Sequence, residues 1–277
     1  MPKSINPEAL TVPHLVTIPY SHYCEVARWG LDLGGIAFQE VKYAPGYHAK
    51  AVGQLRKRRE DRSESSYVGQ ESGVHGGRRK YSVPLLCLPE GRIIRDSWEI
   101  LEYALGAPDP DWRRIADQEL GITVRQIAYH YLLMPESKHL LNNMIDGSSL
   151  YERTLWFFVR DKLMDGMKQL MAITPENVES GKDRVVRILE KASEALEKYD
   201  GSLQEKRGFG ATEVAFCSLA AINLFPEEFS NGAATLPVLA DFPLEFREHV
   251  ERCRSTRAGQ FVLDSYVNRR ALMGKAT

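Results

Sequence analysis

Hydrophobic positions near the start of the chain follow a strand, helix, strand pattern. Residues 14–18 form a short apolar run, which predicts a strand. Over residues 24–33 apolar side chains recur at helical spacing, and a glycine pair at residues 34–35 follows, so we expect an amphipathic helix there. Residues 36–43 alternate apolar and polar side chains and predict a second strand. A βαβ unit of this kind makes the two strands parallel neighbours.

A hairpin and another helix follow further along the chain. The apolar residues 83–88 and residues 92–94 predict two strands joined by a Pro-Glu-Gly turn. At residues 96–99 an Asp stands three positions before a Glu, which is the pattern of a helix capping box, and Gly106 ends that helix. We therefore expect a βαβ–ββα domain at residues 12–106.

Beyond a linker rich in Pro and Asp at residues 107–111, the apolar spacing is helical almost throughout. No strand pattern is strong in this part of the sequence. We expect an all-helical domain at residues 112–272, which makes the predicted fold class α+β. The candidate helices lie at residues 111–134, 150–171, 182–199, 212–225, 244–252 and 258–270.

The segment at residues 47–81 differs from both parts. It holds nine Lys and Arg against four Asp and Glu, with few apolar residues to order it. We interpret it as a flexible or partly helical insert within the first domain. Its basic run at residues 56–59 could attract an acidic partner or RNA. A solvated loop is the commoner role of such a run, and it is the interpretation we favour.

Composition narrows the class of protein. Hydrophobic residues make up 43% and charged residues 26% of the 277 positions, as in soluble globular proteins. A net charge of −1 provides no overall attraction to nucleic acid or anionic lipid. No apolar run approaches the roughly 20 residues that cross a bilayer, and residues 1–11 lack a secretory signal pattern. We expect a cytoplasmic protein that uses neither a membrane nor nucleic acid as a partner.

The four cysteines, Cys24, Cys87, Cys217 and Cys253, are far apart and form no C-x-x-C pair. We therefore expect no disulfide framework and a reducing compartment. Cys87 and Cys217 have apolar neighbours in the sequence, which favours core positions. No cluster of His, Cys, Asp and Glu has the spacing of metal ligands, so we expect no metal cofactor.

The residues with the most chemical interest form the hexapeptide Pro-Tyr-Ser-His-Tyr-Cys at residues 19–24. It joins the first predicted strand to the first predicted helix, so its polar side chains lie at a helix N-terminus. Backbone N–H groups and the helix dipole favour negative charge there. Such a place suits a thiolate, either the protein's own or that of a bound substrate. Ser21 and Cys24 are the two candidates.

Four features in chain order resemble the cytosolic glutathione transferase superfamily. The first is the segment at residues 20–29, which is similar to the superfamily's active-site turn and first helix. It is also similar to the glutaredoxin C-P-Y-C site, with Ser21 at the first cysteine position and Cys24 at the second. The second feature is Val83-Pro84, at the place where the superfamily has a proline after a cis peptide bond.

The other two features lie at predicted helix starts. Asp96-Ser97 is similar to the acidic–Ser pair that holds the γ-glutamyl end of glutathione. Residues 210–216 resemble the capping box of a central bundle helix, with Gly210 and Glu213 in place of the usual Ser/Thr and Asp. Together the four features imply a thioredoxin-like N-terminal domain followed by an all-α helical bundle.

The resemblance also implies roles for the residues of the turn. The Ser21 hydroxyl would donate to the thiolate of glutathione and keep it ionised. Ser is also a favoured N-cap residue, so capping alone is the alternative. Tyr20 competes for the catalytic role, since some classes use a tyrosine in this turn. Cys24 could form a mixed disulfide with glutathione, and its alternative is a buried helix position.

For the rest of the site, the resemblance implies that the Val83 backbone, beside Pro84, pairs with the cysteinyl amide of glutathione. Asp96 and Ser97 would bind the γ-glutamyl ammonium and carboxylate. An electrophile pocket would lie between the domains, lined by side chains of the first bundle helix that could equally be core. The candidates are Tyr129 and His130, with Arg125, Tyr131 and Met134 beside them.

We therefore expect a glutathione transferase that conjugates glutathione, as co-substrate, to an electrophilic small molecule in detoxification. The resemblance also implies a homodimer. Two other functions stay open. One is a glutathione-dependent thiol-transferase or reductase that uses Cys24. The other is a non-catalytic interaction protein, because the insert at residues 47–81 replaces a segment that normally helps form the glutathione site.

Overall fold

Four short strands form one mixed sheet in this computed structural model. The strands are β1 (His14–Thr17), β2 (Gln39–Lys42), β3 (Leu85–Cys87) and β4 (Ile93–Arg95). Their order in the sheet is β2-β1-β3-β4, with β1 parallel to β2 and antiparallel to β3, and β3 antiparallel to β4. The structure describes residues 10–58, 82–145, 154, 160–162, 164–169, 171–205, 208–234 and 236–272.

Helices cover both faces of the sheet. They are α1 (His22–Leu33), α2 (His48–Arg58) and α3 (Ser97–Leu105). Because successive side chains of a strand point to opposite faces, Leu15 packs with residues of α1 and α3 while Val16 packs with residues of α2. This is the βαβ–ββα arrangement that the sequence predicted, with a helical part after it.

The helical part begins with α4 (Pro110–Ile115), a π-helical turn (Ala116–Leu120) and α5 (Gly121–Leu132), which follow one another without a break in helical backbone. A 3₁₀ segment follows at Pro135–Ile145. The later helices are α6 (Pro175–Lys198), α7 (Ala211–Ala220), α8 (Leu244–Arg254) and α9 (Arg257–Ser265), the last continued by a π-helical turn (Tyr266–Arg270). Among the residues that the structure places, every helix is too short or too polar to cross a bilayer.

The start of the predicted insert is helical, which is one of the two forms that we expected for it. Residues 48–58 form α2, and its Val52 and Leu55 are buried against the sheet at 1% and 2% exposure. Two apolar residues three positions apart on one helix face are enough to dock this basic helix. The first part of the segment at residues 47–81 therefore belongs to the fold itself, and residues 59–81 lie outside the described residues.

Helix boundaries differ from the prediction in several places. Helix α6 begins seven positions earlier than expected from the apolar spacing, at Pro175. The Thr174 side chain caps it by accepting from the Asn177 amide at 3.2 Å, and proline suits the first helical position. The 3₁₀ segment at Pro135–Ile145 had no counterpart in the prediction. The predicted helix at residues 150–171 lies partly outside the described residues, and those described at 160–162 and 164–169 are helical.

A capping turn holds α7 in the middle of the bundle. Gly210 has no side chain to cap the helix, but one Glu213 carboxylate oxygen accepts from the Gly210 amide at 3.0 Å. The other oxygen accepts from the Ser202 hydroxyl and the Leu203 amide, both at 3.1 Å. Thr212 accepts from the Asp109 amide at 2.8 Å and so ties α7 to the linker. The longer Glu side chain therefore forms half of a capping box and also anchors the preceding loop.

The two parts of the molecule share a hydrophobic core. Trp29 of α1 and Trp98 of α3 belong to the same buried cluster as Val124, Leu189 and many residues of the bundle. The rings of Trp29 and Tyr266, from opposite ends of the chain, lie 4.8 Å apart. Burial of such large side chains contributes most of the stabilising free energy of a core, so the two parts stabilise each other.

A histidine at the start of α1 also joins the two parts. His22 is buried, and its Nε2 lies 3.0 Å from the Gly121 carbonyl oxygen at the start of α5. Since a carbonyl can only accept, the ring is held with a hydrogen on Nε2. A side chain at Gly121 would collide with the Tyr23 hydroxyl, 2.6 Å from an added Cβ, so the close approach of α1 and α5 requires glycine there.

We expect His22 to make the protein less stable below neutral pH. Burial chiefly, with the nearby Arg125 charge, lowers the pKa of His22 from 6.5 to about 3. Between these values the unfolded chain binds a proton that the folded chain does not. Above pH 6.5 His22 should therefore not reduce the free energy of unfolding. Below pH 6.5 that free energy should fall by up to about 1.4 kcal/mol per pH unit. His22→Gln keeps a donor toward Gly121 without titrating, so urea unfolding measured from about pH 7 to about pH 4 should show a shallower decline. Equal declines in both proteins would contradict this.

Candidate functional site

The segments that the sequence singled out lie together at one end of the strands, which we call the sheet edge. In the register of the strands, Val16 pairs with Leu85 and Leu85 pairs with Arg95. Strands β1 and β4 therefore end, and β3 begins, at the same edge. The turn at residues 19–21, Val83-Pro84 and Asp96-Ser97 all lie there. The Asp96 amide donates to the Pro84 carbonyl at 3.3 Å and links two of the three segments directly.

Ser21 is the N-cap residue of α1. Its backbone is extended, and its Oγ accepts a long hydrogen bond from the Cys24 amide at 3.4 Å. A hydroxyl oxygen that accepts still has its own hydrogen to donate. Since Ser21 is half-buried at a helix N-terminus, its hydroxyl lies in a positive field. The geometry suits an anionic atom placed beside Oγ.

Tyr20 lies between the main core and a smaller apolar cluster, and it is half-buried. Burial, assisted by Tyr129 and Cys24, raises the pKa of Tyr20 well above its ordinary value of 10. The phenol is therefore neutral at physiological pH. A neutral phenol supplies no negative charge to the site.

Cys24 is fully buried in α1. Burial outweighs the nearby Arg28 charge and raises the pKa of the Cys24 thiol to about 11. Exchange with a disulfide requires an accessible thiolate, and this thiol is neither accessible nor ionised. None of the four cysteines is in a disulfide and all are buried, and Cys87 and Cys217 occupy the core positions that the sequence predicted.

The Val83-Pro84 peptide bond is cis, as the resemblance implied. Asp96 is the N-cap of α3, and its Oδ1 accepts from the Trp98 amide at 2.8 Å and from the Ser97 hydroxyl at 3.4 Å. Its backbone has φ 72° and ψ 146°, a region that costs a residue with a side chain about 1–3 kcal/mol. Strained backbone of this kind is common at functional sites, and here the conformation directs the Asp96 carboxylate toward the start of α3.

Of the two proposed pocket residues, one lies beside the turn. Tyr129 of α5 packs in the same small apolar cluster as Tyr20, and burial raises the pKa of Tyr129 to about 12. His130 stacks edge-on against Tyr131, with ring centroids 5.0 Å apart. Burial chiefly lowers the pKa of His130, while the Glu245 charge opposes the shift and the Lys182 charge adds to it. The structure therefore brings Tyr129 to Tyr20, while His130 lies toward α6 and α8.

Comparison with known proteins finds likeness in structure. No protein-family model matches this chain, and no curated protein matches it. A glutathione transferase from Phanerochaete chrysosporium superimposes with a TM-score of 0.55 at 13% identity, over 94% of this chain and 97% of that one. A glutathione S-transferase of Ceriporiopsis subvermispora, solved in complex with glutathione, gives a TM-score of 0.50 at 13% identity, over 96% and 97%.

The chain has the glutathione transferase fold. Its N-terminal part is thioredoxin-like and its C-terminal part is the helical bundle of that fold. Among the described residues, no group of three or more His, Cys, Asp and Glu side chains is placed to hold a metal ion.

Beneath the turn, this glutathione transferase fold contains a buried cluster of charges that the sequence did not suggest. Arg28 pairs with Glu25 at 3.1 Å and with Glu40 at 2.7 Å. Arg270, near the end of the described chain, pairs with Glu25 at 2.7 Å and with Asp32 at 2.6 Å. The only signal in the sequence was a Glu and an Arg three positions apart within the apolar stretch of the first helix.

Proposed function

We propose that this protein binds glutathione at the sheet edge and adds its sulfur to an electrophilic small molecule, with Ser21 as the residue that stabilises the thiolate. One observation carries the proposal. The hydroxyl at the N-terminus of α1 shares the sheet edge with the backbone before cis-Pro84 and with the N-terminus of α3. These are three separate features suited to the three parts of one tripeptide.

The chemistry follows from the ordinary pKa of a cysteine thiol, about 8.5, which leaves most of free glutathione protonated at neutral pH. A hydroxyl donor and the N-terminus of α1 stabilise the thiolate, so the thiol loses its proton to solvent more readily. The sulfur lone pair then forms a carbon–sulfur bond. In a halogenated electrophile the halide leaves with the electrons of the bond that breaks.

The remaining contacts would orient the tripeptide. The Val83 main chain lies half-buried at the sheet edge and offers an N–H and a C=O to the cysteinyl unit. The Asp96 carboxylate would accept from the γ-glutamyl ammonium. The Ser97 hydroxyl and the N–H groups at the start of α3 would donate to the γ-glutamyl carboxylate.

We also propose that residues 12–106 form the glutathione-binding domain and residues 112–272 the helical domain, and that the protein works as a homodimer in the cytoplasm. The electrophile would enter beside Tyr20 and Tyr129, where the two domains meet. The thiol-transferase alternative conflicts with the burial of Cys24.

Calorimetry and a conjugation assay together test the proposal. Glutathione should bind with a saturable heat signal at millimolar concentration or below. The protein should also conjugate glutathione to a chlorinated aromatic compound faster than the uncatalysed reaction. Absence of any glutathione binding at millimolar concentration would reject the proposal and favour a non-catalytic interaction protein.

Asp96→Asn should raise KM for glutathione about tenfold, because the amide keeps the cap on the Trp98 amide but loses the charge that attracts the ammonium. Steady-state kinetics at varied glutathione concentration would measure it. Asp109→Asn is the matched control, since Asp109 caps α4 in the same way by accepting from the Asp111 and Trp112 amides. Equal KM values for the two variants would show that Asp96 serves only as a cap.

A further inference from the structure

Arg28 of α1 is buried against the turn at residues 19–21 and contacts its backbone. Its side chain is 2% exposed. Nη2 donates to the Pro19 carbonyl at 2.7 Å and also lies 3.4 Å from the Ile18 carbonyl. The Pro19 carbonyl belongs to the peptide that leads into Tyr20. A short, charged hydrogen bond to this oxygen sets the plane of that peptide and hence the direction in which the chain enters Ser21.

The rest of the guanidinium is held just as firmly. Nε donates to Glu40 of β2 at 2.7 Å, and Nη1 donates to Glu25 at 3.1 Å. Glu40 also accepts from the Thr17 hydroxyl at the end of β1. A planar guanidinium can serve two carboxylates and a carbonyl at once, whereas an ammonium is a single point of charge on a flexible stem. Arg28 thus links the turn by hydrogen bonds to both α1 and β2.

The far end of the chain joins the same cluster. Arg270 donates to Glu25 at 2.7 Å and to Asp32 at 2.6 Å, and it is 1% exposed. Glu25 therefore lies between two arginines, with one carboxylate oxygen accepting from each. The bond from Arg270 orients the Glu25 carboxylate toward Arg28. The order of contacts runs from Arg270 through Glu25 and Arg28 to the Pro19 carbonyl.

We propose that Arg28 is the positioning residue of the Ser21 site: its guanidinium holds the Pro19 carbonyl and so places the Ser21 hydroxyl, while Arg270 orients it through Glu25. This inference rests on the proposed function of Ser21, since the placement of the hydroxyl affects catalysis only if glutathione binds beside it.

Arg28→Lys is the decisive variant, because it keeps the positive charge among the carboxylates and loses the fork. We expect kcat for conjugation to fall about ten- to a hundredfold, since a displaced catalytic group costs this much. KM for glutathione should change less, because Val83 and Asp96 are untouched. The pH profile of kcat should shift to higher pH, because the thiolate of bound glutathione is less stabilised. Amide hydrogen exchange in the peptide covering residues 18–24 should become faster. Arg28→Gln should show the same changes where it folds.

Arg254→Gln is a closely matched control. Arg254 also pairs with a Glu three positions before it, and it also donates to two successive carbonyls of a turn, those of Leu224 and Phe225. That turn lies in the helical part of the fold and is separate from the turn at residues 19–21, so kcat and the pH profile should stay as in the wild type. Equal losses in Arg254→Gln and Arg28→Lys would mean general destabilisation and would overturn the inference.

The failure of the inference and that of the proposed function are distinguishable. If the wild-type protein binds no glutathione, the proposed function is wrong. The exchange measurement then still decides whether Arg28 holds the turn. Two results would overturn the inference. One is that amide exchange at residues 18–24 in Arg28→Lys is as slow as in the wild type. The other is that the wild-type protein conjugates glutathione and Arg28→Lys has the same kcat and pH profile.

Discussion

Replacing Ser21 with alanine should lower kcat for glutathione conjugation by about a hundredfold. Enzymes usually lose about this much when one hydrogen-bond donor to an anionic reacting atom is removed. The hydroxyl accepts from the Cys24 amide and lies half-buried at the start of α1, where it can face a sulfur. Tyr20 keeps its proton because of burial, and Cys24 is fully buried. The apparent pKa of bound glutathione, followed by the ultraviolet absorbance of its thiolate, should rise in the variant.

The stability of Ser21→Ala separates catalysis from capping. Loss of an N-cap costs about 0.5–2 kcal/mol, and the long 3.4 Å bond to the Cys24 amide suggests the lower end. Thr174→Ala is the control, since Thr174 caps α6 by a similar bond at 3.2 Å in a distant part of the fold. We expect it to lose similar stability and to keep its activity. Wild-type activity in Ser21→Ala would leave Ser21 with capping alone.

Arg270→Met should lower the free energy of unfolding by about 3 kcal/mol, measured by urea unfolding at neutral pH. Methionine fills much of the space but leaves the fully buried Glu25 with one arginine instead of two, and Asp32 without this partner. A buried carboxylate that loses a charged partner keeps its desolvation cost without the compensating attraction. Glu25→Gln placed on top of Arg270→Met should therefore restore part of the stability.

The neighbouring arginine supplies the control for this prediction. Arg269 is exposed and lies 4.6 Å from the centre of the Phe209 ring. A cation over an aromatic ring at an exposed site contributes about 0.5–1 kcal/mol, so Arg269→Met should cost no more than that. If the two variants unfold at the same urea concentration, the buried cluster contributes nothing to stability and our interpretation of it is wrong.

Errors in the sequence-based predictions came from short-range signals that compete with one another. Helix α6 was expected from residue 182, where the apolar spacing is regular, yet Thr174 and Pro175 start it earlier by capping. For the basic segment at residues 47–81 we expected a flexible or partly helical insert, and the sequence did not show where α2 lies, because little beyond Val52 and Leu55 marks its buried face. Weak apolar signals of this size are visible only once the sheet that they cover is known.

The sequence by itself determined the fold class, the order of the strands and the places of the main turns. Side-chain periodicity, glycine stops and caps act within a few residues, so they can be recognised along the chain. Ser21 at a helix start, Val83-Pro84 before a strand and Asp96 as an N-cap are all features of this local kind, and the structure places them at one sheet edge.

The tertiary structure alone decided which groups surround that edge. It buried Cys24, brought Tyr129 to Tyr20 and placed His130 beside charged residues of α6 and α8. It also joined Glu25 to Arg270, 245 positions away, in a cluster of buried charges beneath the turn. Such contacts depend on how helices pack in three dimensions, and neither periodicity nor composition carries that information.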